Sequence, residues 1–468
     1  MSYIVYDLET SGLEPQWNVP LQAALIHCDD NLMQLSELSL RCRLPAHIVP
    51  APAALLTTGI GPAQLELAPM SSTEMLNAIA KALVAWAPST VIGYNTLRFD
   101  EEMLRHAFFT HLLPPYATQL GGHRRADLLT IVRAVAMLEP SAIAVPTGTA
   151  GKQSFKLGDI CRANGIALAE DEAHDALADT RATLALFRHL RQVAPATVAM
   201  MLSLADKAIP NRLLAGGEVL LLGWASKLTP VIGVAANPTV ASSWAAVDLT
   251  VDPASYLGGS PEEIAKLISA QGPRPIRLVR TNSQPILIAY EQGCHALSPD
   301  QRDQPLYHER AARIRDHVGF RANLANAMAS RFADRELSPY PEATLYRGGF
   351  LSTDDARLSA RWHASPWEDR PTIAAQFQDE RLKAFANRLM LLEAPQDMAQ
   401  AALQKGQAWL RERLTTEAEV PWLTLPGALR QVSELRAGIA DDEVGKHAHL
   451  DEIERWLGQC NQYFEMAA

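Results

Sequence analysis

Over roughly its first 190 residues this chain alternates short β-branched runs with stretches of helical spacing, and that alternation constrains its fold more than any other feature. Strands separated by helices build an α/β layer rather than a bundle or a sandwich. The clearest strands are Tyr3 to Tyr6, Ala23 to His27 and Thr90 to Tyr94. The clearest helices are Ser72 to Trp86, which opens on small polar residues, and Asp100 to His111. The stretch from Pro140 to Gln153, rich in Pro, Gly and Thr, reads as a long loop of the kind that borders functional sites.

After Leu190 the pattern changes. A helical connector around Ala194 to Lys207 leads into apolar runs punctuated by Gly, Pro and Asn, such as VLLLGW and PIRLVRTNSQPILIAY, which predict a small β-rich unit. One helix interrupts it at SPEEIAKLIS, where Ser260 caps, Pro261 suits the first helical position and Glu263 completes a capping box. From about Thr344 onward the chain is rich in Ala, Leu, Arg and Glu at helical spacing. The expected organisation is an α/β domain over 1–192, a β-rich domain with its helical connector over 193–343, and a helical domain over 344–468. A chain of 468 residues is too long for one compact core, in keeping with several domains.

With 48% hydrophobic and 20% charged residues, and no apolar run long enough to span a bilayer, the composition is that of a globular protein with no membrane partner. The start, MSYIVYD, lacks the basic flank and apolar stretch of a signal peptide, so a cytoplasmic location is expected. Five scattered cysteines in no CxxC spacing argue against a disulfide framework or a zinc site. The formal charge of -10 does not advertise a phosphate-tracking surface, although a local basic groove can coexist with an acidic total.

The opening strand runs into two carboxylates, Asp7 and Glu9, two residues apart. Such residues share a face of a strand, with Cα atoms roughly 7 Å apart. The pair could hold hard cations, but a D-x-E at a strand end is by itself more often just solvated. A second acid, Asp100, opens the helix in VIGYNTLRFDEEMLRHAFF, where helix capping would be explanation enough. The third segment is AEDEAHDALADTRATLALFRHL. Leu177, Leu184, Phe187 and Leu190 form one helical face and leave Asp179 roughly opposite. At ~100° per residue, His174 and Asp179 cannot both project from a regular helix into one site, so His174 is expected at the helix start or in the loop before it.

In this order, D-x-E, then Asp, then H-x4-D, the motifs resemble the DEDD exonuclease superfamily in its histidine-bearing DEDDh branch. The sister branch carries a tyrosine four residues before the last Asp, where this chain has Asp175. GYNTLRFDEEM, SFKLGDICRANG and AHDALADTRAT, followed by a β-rich segment and a helical tail, are similar to the bacterial exodeoxyribonuclease I family over essentially the whole chain. The resemblance implies a ribonuclease H-like exonuclease domain with a mixed sheet, then a small SH3-like domain and a C-terminal helical domain. The implied activity is 3′ to 5′ degradation of single-stranded DNA to 5′-mononucleotides in DNA repair. Two Mg2+ ions, replaceable by Mn2+, would be held by Asp7, Glu9, Asp100 and Asp179, with His174 as the base. The implied substrate contacts are Glu9, Lys156, Arg105, Tyr116, Arg133 and Lys207. Lys156 stands where relatives have a basic residue for a terminal phosphate, and Leu120 stands in place of a second aromatic. Leu13, just past ETSG, could wedge near the last base. The implied partners are single-stranded DNA and the C-terminal tail of single-stranded DNA-binding protein, and a monomer is expected. Two rival functions share these residues: a 3′ to 5′ exoribonuclease or polymerase proofreading subunit, and a non-catalytic single-stranded nucleic-acid clamp. Those nucleases are typically little more than the nuclease domain, whereas here a further 270 or so residues follow.

Overall fold

The computed structural model describes residues 2–148, 151–167, 175–224, 226–269, 274–302, 304–331, 336–440 and 442–466. Its first sheet is five-stranded, with β1 (Ser2–Thr10), β2 (Pro20–Cys28), β3 (Gln34–Arg41), β4 (Ser89–Gly93) and β5 (Arg124–Asp127). The strand order is β3-β2-β1-β4-β5. The β1–β2 and β2–β3 pairs are antiparallel, while β1–β4 and β4–β5 are parallel, so the sheet is mixed as expected.

The period of two along β1 explains what that strand does. Ile4, Tyr6 and Leu8 point to one face, where Met75, Leu76, Ile79 and Leu83 of the helix Ser72–Ala85 join Met103, Leu104 and Phe108 of the helix Asp100–Thr110. Tyr3 and Val5 point to the other, beneath the helix Ala176–Val193, where the Phe187 ring meets Tyr3 edge-on at 5.2 Å. The next two residues on this second face are Asp7 and Glu9. The face therefore turns from apolar to acidic in one step.

The second sheet contains β6 (Val219–Trp224), β7 (Lys227–Ala236), β8 (Ser243–Asp248), β9 (Ile276–Arg280) and β10 (Leu287–Ala289) in the order β10-β6-β7-β8-β9. Its pairings are antiparallel. The capping box at its helix Pro261–Ser269 forms, with Ser260 N–H donating to Glu263 at 2.9 Å and Glu263 N–H to Ser260 Oγ at 3.3 Å. This segment is less purely β than its composition suggests. The helices Gln304–Asp316 and Val318–Ser330 follow β10, and their buried Tyr307, Ile314, Phe320 and Leu324 share a core with Ile232, Val247 and Ile264.

From Thr353 onward the chain is helical. This part holds the first sheet's surroundings in two places. Trp362, Phe377 and Phe385 close over Phe109 and Leu112, and Leu450, Ile453 and Leu457 of the long helix Val444–Met466 pack with Val19, Leu21 and Leu55. Between these contacts Glu342 takes Arg388 at 2.6 Å and Arg413 at 3.4 Å, all three being buried. Arg413 also lies against the rings of Trp17, Trp409 and Trp422. Buried charge persists only when paired in this way. Among the described residues no helix is long and apolar enough to cross a membrane.

Candidate active site

Three elements converge on the acidic end of β1. The parallel ladder with β4 ends at the Val5–Ile92 pair, so β1 runs on past its neighbour. Into that gap comes Asp100, whose Oδ1 accepts the Leu8 N–H at 3.2 Å. Asp100 does not cap its own helix: the preceding Phe99 occupies the cap, and no side chain bonds to the cap amides. The capping explanation for this aspartate therefore fails. On the other side, Asp175 caps the helix Ala176–Val193 by accepting Leu177 N–H at 3.1 Å and Ala178 N–H at 3.3 Å, and it pairs with Arg41 at 2.5 Å. That cap sets the first helical turn, from which Asp179 reaches the site. Asp7, Glu9 and Asp179 each bring a carboxylate oxygen to within 4.8 Å of the other two.

The path from β4 to Asp100 is held by a residue that sequence motifs missed. Asp127, at the end of β5 and 2% exposed, accepts Asn95 N–H at 3.2 Å and Leu97 N–H at 3.1 Å while capping the helix Leu128–Leu138 through Thr130 N–H. Its own N–H donates to Gln284 Oε1 at 2.7 Å, so the segment between β9 and β10 braces the turn that carries Asp100. Asp127-Leu-Leu-Thr130 has the look of a helix cap, which was the one signal available. Gly93 starts the turn because no side chain fits there: a Cβ would lie 2.5 Å from the Tyr6 carbonyl.

The electrostatics of the cluster are those of a site short of positive charge. Burial pushes Asp7 well above the usual carboxylate range, and Asp100, Glu9 and Asp179 push it further. Burial and then Asp179 and Asp100 raise Glu9 to about 8. Asp100 rises to about 7 through burial, against the pull of the backbone N–H bonds it accepts. Neighbouring buried carboxylates resist joint ionisation, and either protons or cations relieve the repulsion. The donor set is all hard oxygen, which fits divalent cations such as Mg2+ or Mn2+.

The other expected residues fall around this cluster. His174 lies outside the described residues. Lys156 is exposed at the start of the helix Leu157–Ala163, and the Tyr94 hydroxyl holds the preceding Phe155 carbonyl at 2.7 Å. Arg133 lies over the Phe155 ring at 5.4 Å and lines a cavity of about 380 Å3 against residues of the second sheet. Lys207 is exposed ahead of the helix Ala208–Ala215. Leu13 is 75% exposed, beyond a bend that needs Gly12, where a Cβ would lie 2.5 Å from Asn18 Oδ1. Arg105 is buried between carboxylates, 2.9 Å from Glu101 and 3.1 Å from Glu102, and its guanidinium lies over the Tyr116 ring at 5.3 Å. Leu120 is exposed.

Residues 4–187 match the family described as Exonuclease, and residues 339–460 match the Exonuclease I C-terminal domain. The first match and the converging carboxylates define the class: this is an exonuclease, a class that uses divalent metal ions. The chain is 28% identical to exodeoxyribonuclease I of Haemophilus influenzae, over 81% of this chain and 84% of the relative. It is 26% identical to exodeoxyribonuclease I of Escherichia coli, over 88% of this chain and 89% of that one. Its structure superposes on a moderately thermophilic exonuclease I from Methylocaldum szegediense with a TM-score of 0.88 at 25% identity, covering 98% of this chain and 99% of the other. The fold also matches E. coli exonuclease I in complex with a dA16 oligonucleotide, with a TM-score of 0.87 at 23% identity and the same coverage. Over nearly its whole length the chain is similar to bacterial exonuclease I.

Proposed function

We propose that this protein is a 3′ to 5′ exodeoxyribonuclease that hydrolyses single-stranded DNA to 5′-mononucleotides in DNA repair. The observation that carries this reading is the meeting of Asp7, Glu9 and Asp179 within 4.8 Å, with Asp100 at their edge, in a chain that matches exonuclease I structures along 98% of its length. Two Mg2+ ions, replaceable by Mn2+, would be held by Asp7, Glu9, Asp100 and Asp179, supplying acidity to the attacking water and neutralising charge on the leaving 3′ oxygen. His174 takes the water's proton as the oxygen bonds to phosphorus and the P–O3′ bond breaks. Lys156 faces the terminal phosphate as a point charge, without the two-pronged geometry of an arginine. Tyr116 stacks on a base, and Arg105, Arg133 and Lys207 complete the strand's surroundings.

The test is Mg2+-dependent digestion of matched DNA and RNA single strands labelled at either end. Shortening of DNA from the 3′ end to mononucleotides, lost in Asp179→Ala, is expected; a preference for RNA overturns the substrate, and binding without cleavage makes the protein a clamp. Acids beside His174 would raise its pKa, so an alkaline activity optimum is expected. A pH–rate profile unchanged in His174→Ala removes that residue from its role.

The similarity to bacterial exonuclease I supports two further proposals. The protein binds the acidic, hydrophobic-ended tail of single-stranded DNA-binding protein, for which basic side chains beside an apolar pocket are suited; titration of a tail peptide by fluorescence anisotropy tests this. It also acts as a cytoplasmic monomer, which light scattering and cell fractionation test.

A further inference from the structure

We propose that Tyr346, from the segment leading into the helical part, is a base-stacking residue of the single-strand path. The inference rests on the nuclease reading above. The Tyr346 hydroxyl donates to Glu102 at 2.5 Å and accepts from Arg105 Nη1 at 3.1 Å, while the residue as a whole stays 53% exposed and its ring lies nearly perpendicular to that of His106 at 5.8 Å. Arg105 in turn lies over Tyr116. Tyr116, Arg105 and Tyr346 therefore form one continuous strip joining two distant parts of the chain, and it runs along the helix that begins with Asp100.

A plain tether between the parts would bury its ring, because burial of an aromatic contributes most of its stabilisation. Phe109 and Phe385 do so at the same junction, edge to face at 5.0 Å with both rings buried. Tyr346 does the opposite: its hydroxyl is fixed while about half of the residue is left open to solvent. A ring already held at its hydroxyl loses little freedom on stacking, and every nucleobase offers a flat partner regardless of sequence. Local charge favours a base over a phosphate here. Glu101 and Glu102 balance Arg105 and Arg125, so the strip offers no net positive charge to a phosphate.

The experiment compares Tyr346→Ala and Tyr346→Phe with the parent chain, using dT oligonucleotides that carry a single abasic site at successive positions. Tyr346→Ala is expected to raise KM about ten-fold with a much smaller fall in kcat, and Tyr346→Phe to stay within about three-fold of the parent. One abasic position should weaken binding to the parent chain and to Tyr346→Phe but not to Tyr346→Ala. Equal damage by Phe and Ala, with the abasic penalty unchanged in both, overturns the proposal in favour of a tether. If Tyr346→Ala fails to fold, Tyr346→Leu, which keeps bulk without a π face, carries the same comparison. Failure of the parent chain to degrade DNA would instead overturn the nuclease reading, so the two failures are distinguishable.

Discussion

Asp100 and Glu101 are consecutive, both acidic and both buried, yet the structure treats them in opposite ways. Asp100 accepts the Leu8 N–H between Asp7 and Glu9, on both of which its charge acts, and among the described residues only backbone N–H groups offset that charge. Glu101, about 100° further round the helix, takes Arg105 at 2.9 Å, Arg125 at 3.1 Å and the Thr118 hydroxyl at 2.7 Å. Arg125 continues to the Asn282 carbonyl between β9 and β10, and Arg105 to Tyr346. The paired acid ties three parts of the chain together. Asp100, with no such partner among the described residues, sits beside other carboxylates, where on the proposed reading a cation would supply the compensation. Burial does not distinguish a structural carboxylate from a functional one; the arginines do.

The sharpest way to break this contrast is to neutralise each side. Asp179→Ala or Asp100→Asn should lower nuclease activity on the order of 10³-fold or more while leaving the metal-free protein as stable or more so, because repulsion is relieved. Activity assays with calorimetry check both halves, and a destabilised Asp100→Asn would show that the cluster is structural after all. Glu101→Gln should do the reverse in stability, costing about 3–5 kcal/mol by taking from buried Arg125 its carboxylate partner and from Arg105 one of its two, and read as a lower denaturation midpoint. Asp127→Asn keeps an acceptor but not both, so the turn before Asp100 should loosen and kcat fall about ten-fold, with weaker Mg2+ dependence and little change in fold.

The smallest effect is on pH. Glu9 rises from 4.5 to about 8 and Asp100 from 3.8 to about 7 on folding. A raised carboxylate binds more protons folded than unfolded, so its contribution is complete below the unfolded values and is lost as the pH climbs toward 7 and 8. The metal-free protein should therefore lose thermal stability from about pH 4 to pH 8, and added Mg2+ should restore most at the alkaline end. A flat profile in the presence of a chelator would contradict the repulsion on which the comparison depends.

Much of this arrangement could be read in advance. The strands β1, β2 and β4 and the helices after them follow from periodicity, and the acids were found because strand and helix spacings place them. The strand β3, QLSELSLR, was missed because an edge strand with one exposed face looks polar, and β5 is only four residues long with two arginines. The helices over 304–330 were not seen because the segment's Gly- and Pro-punctuated start dominated its character. Arg105 stands four residues after Glu101, at helical spacing, but nothing in the one-dimensional pattern marks Gln284, Tyr346 or the Arg125 partner of Glu101, because each of those contacts joins residues further apart in the chain.

Spacing alone, then, determined which residues can share a face: Asp7 with Glu9 beyond an apolar Tyr3 and Val5, and Asp179 away from Leu184 and Phe187. Only the tertiary structure decided which acids are neutralised and which are not. A carboxylate's state depends on what lies within a few ångströms of it, and for Asp100 and Glu101 those neighbours come from strands, loops and helices that the chain brings together only when it folds.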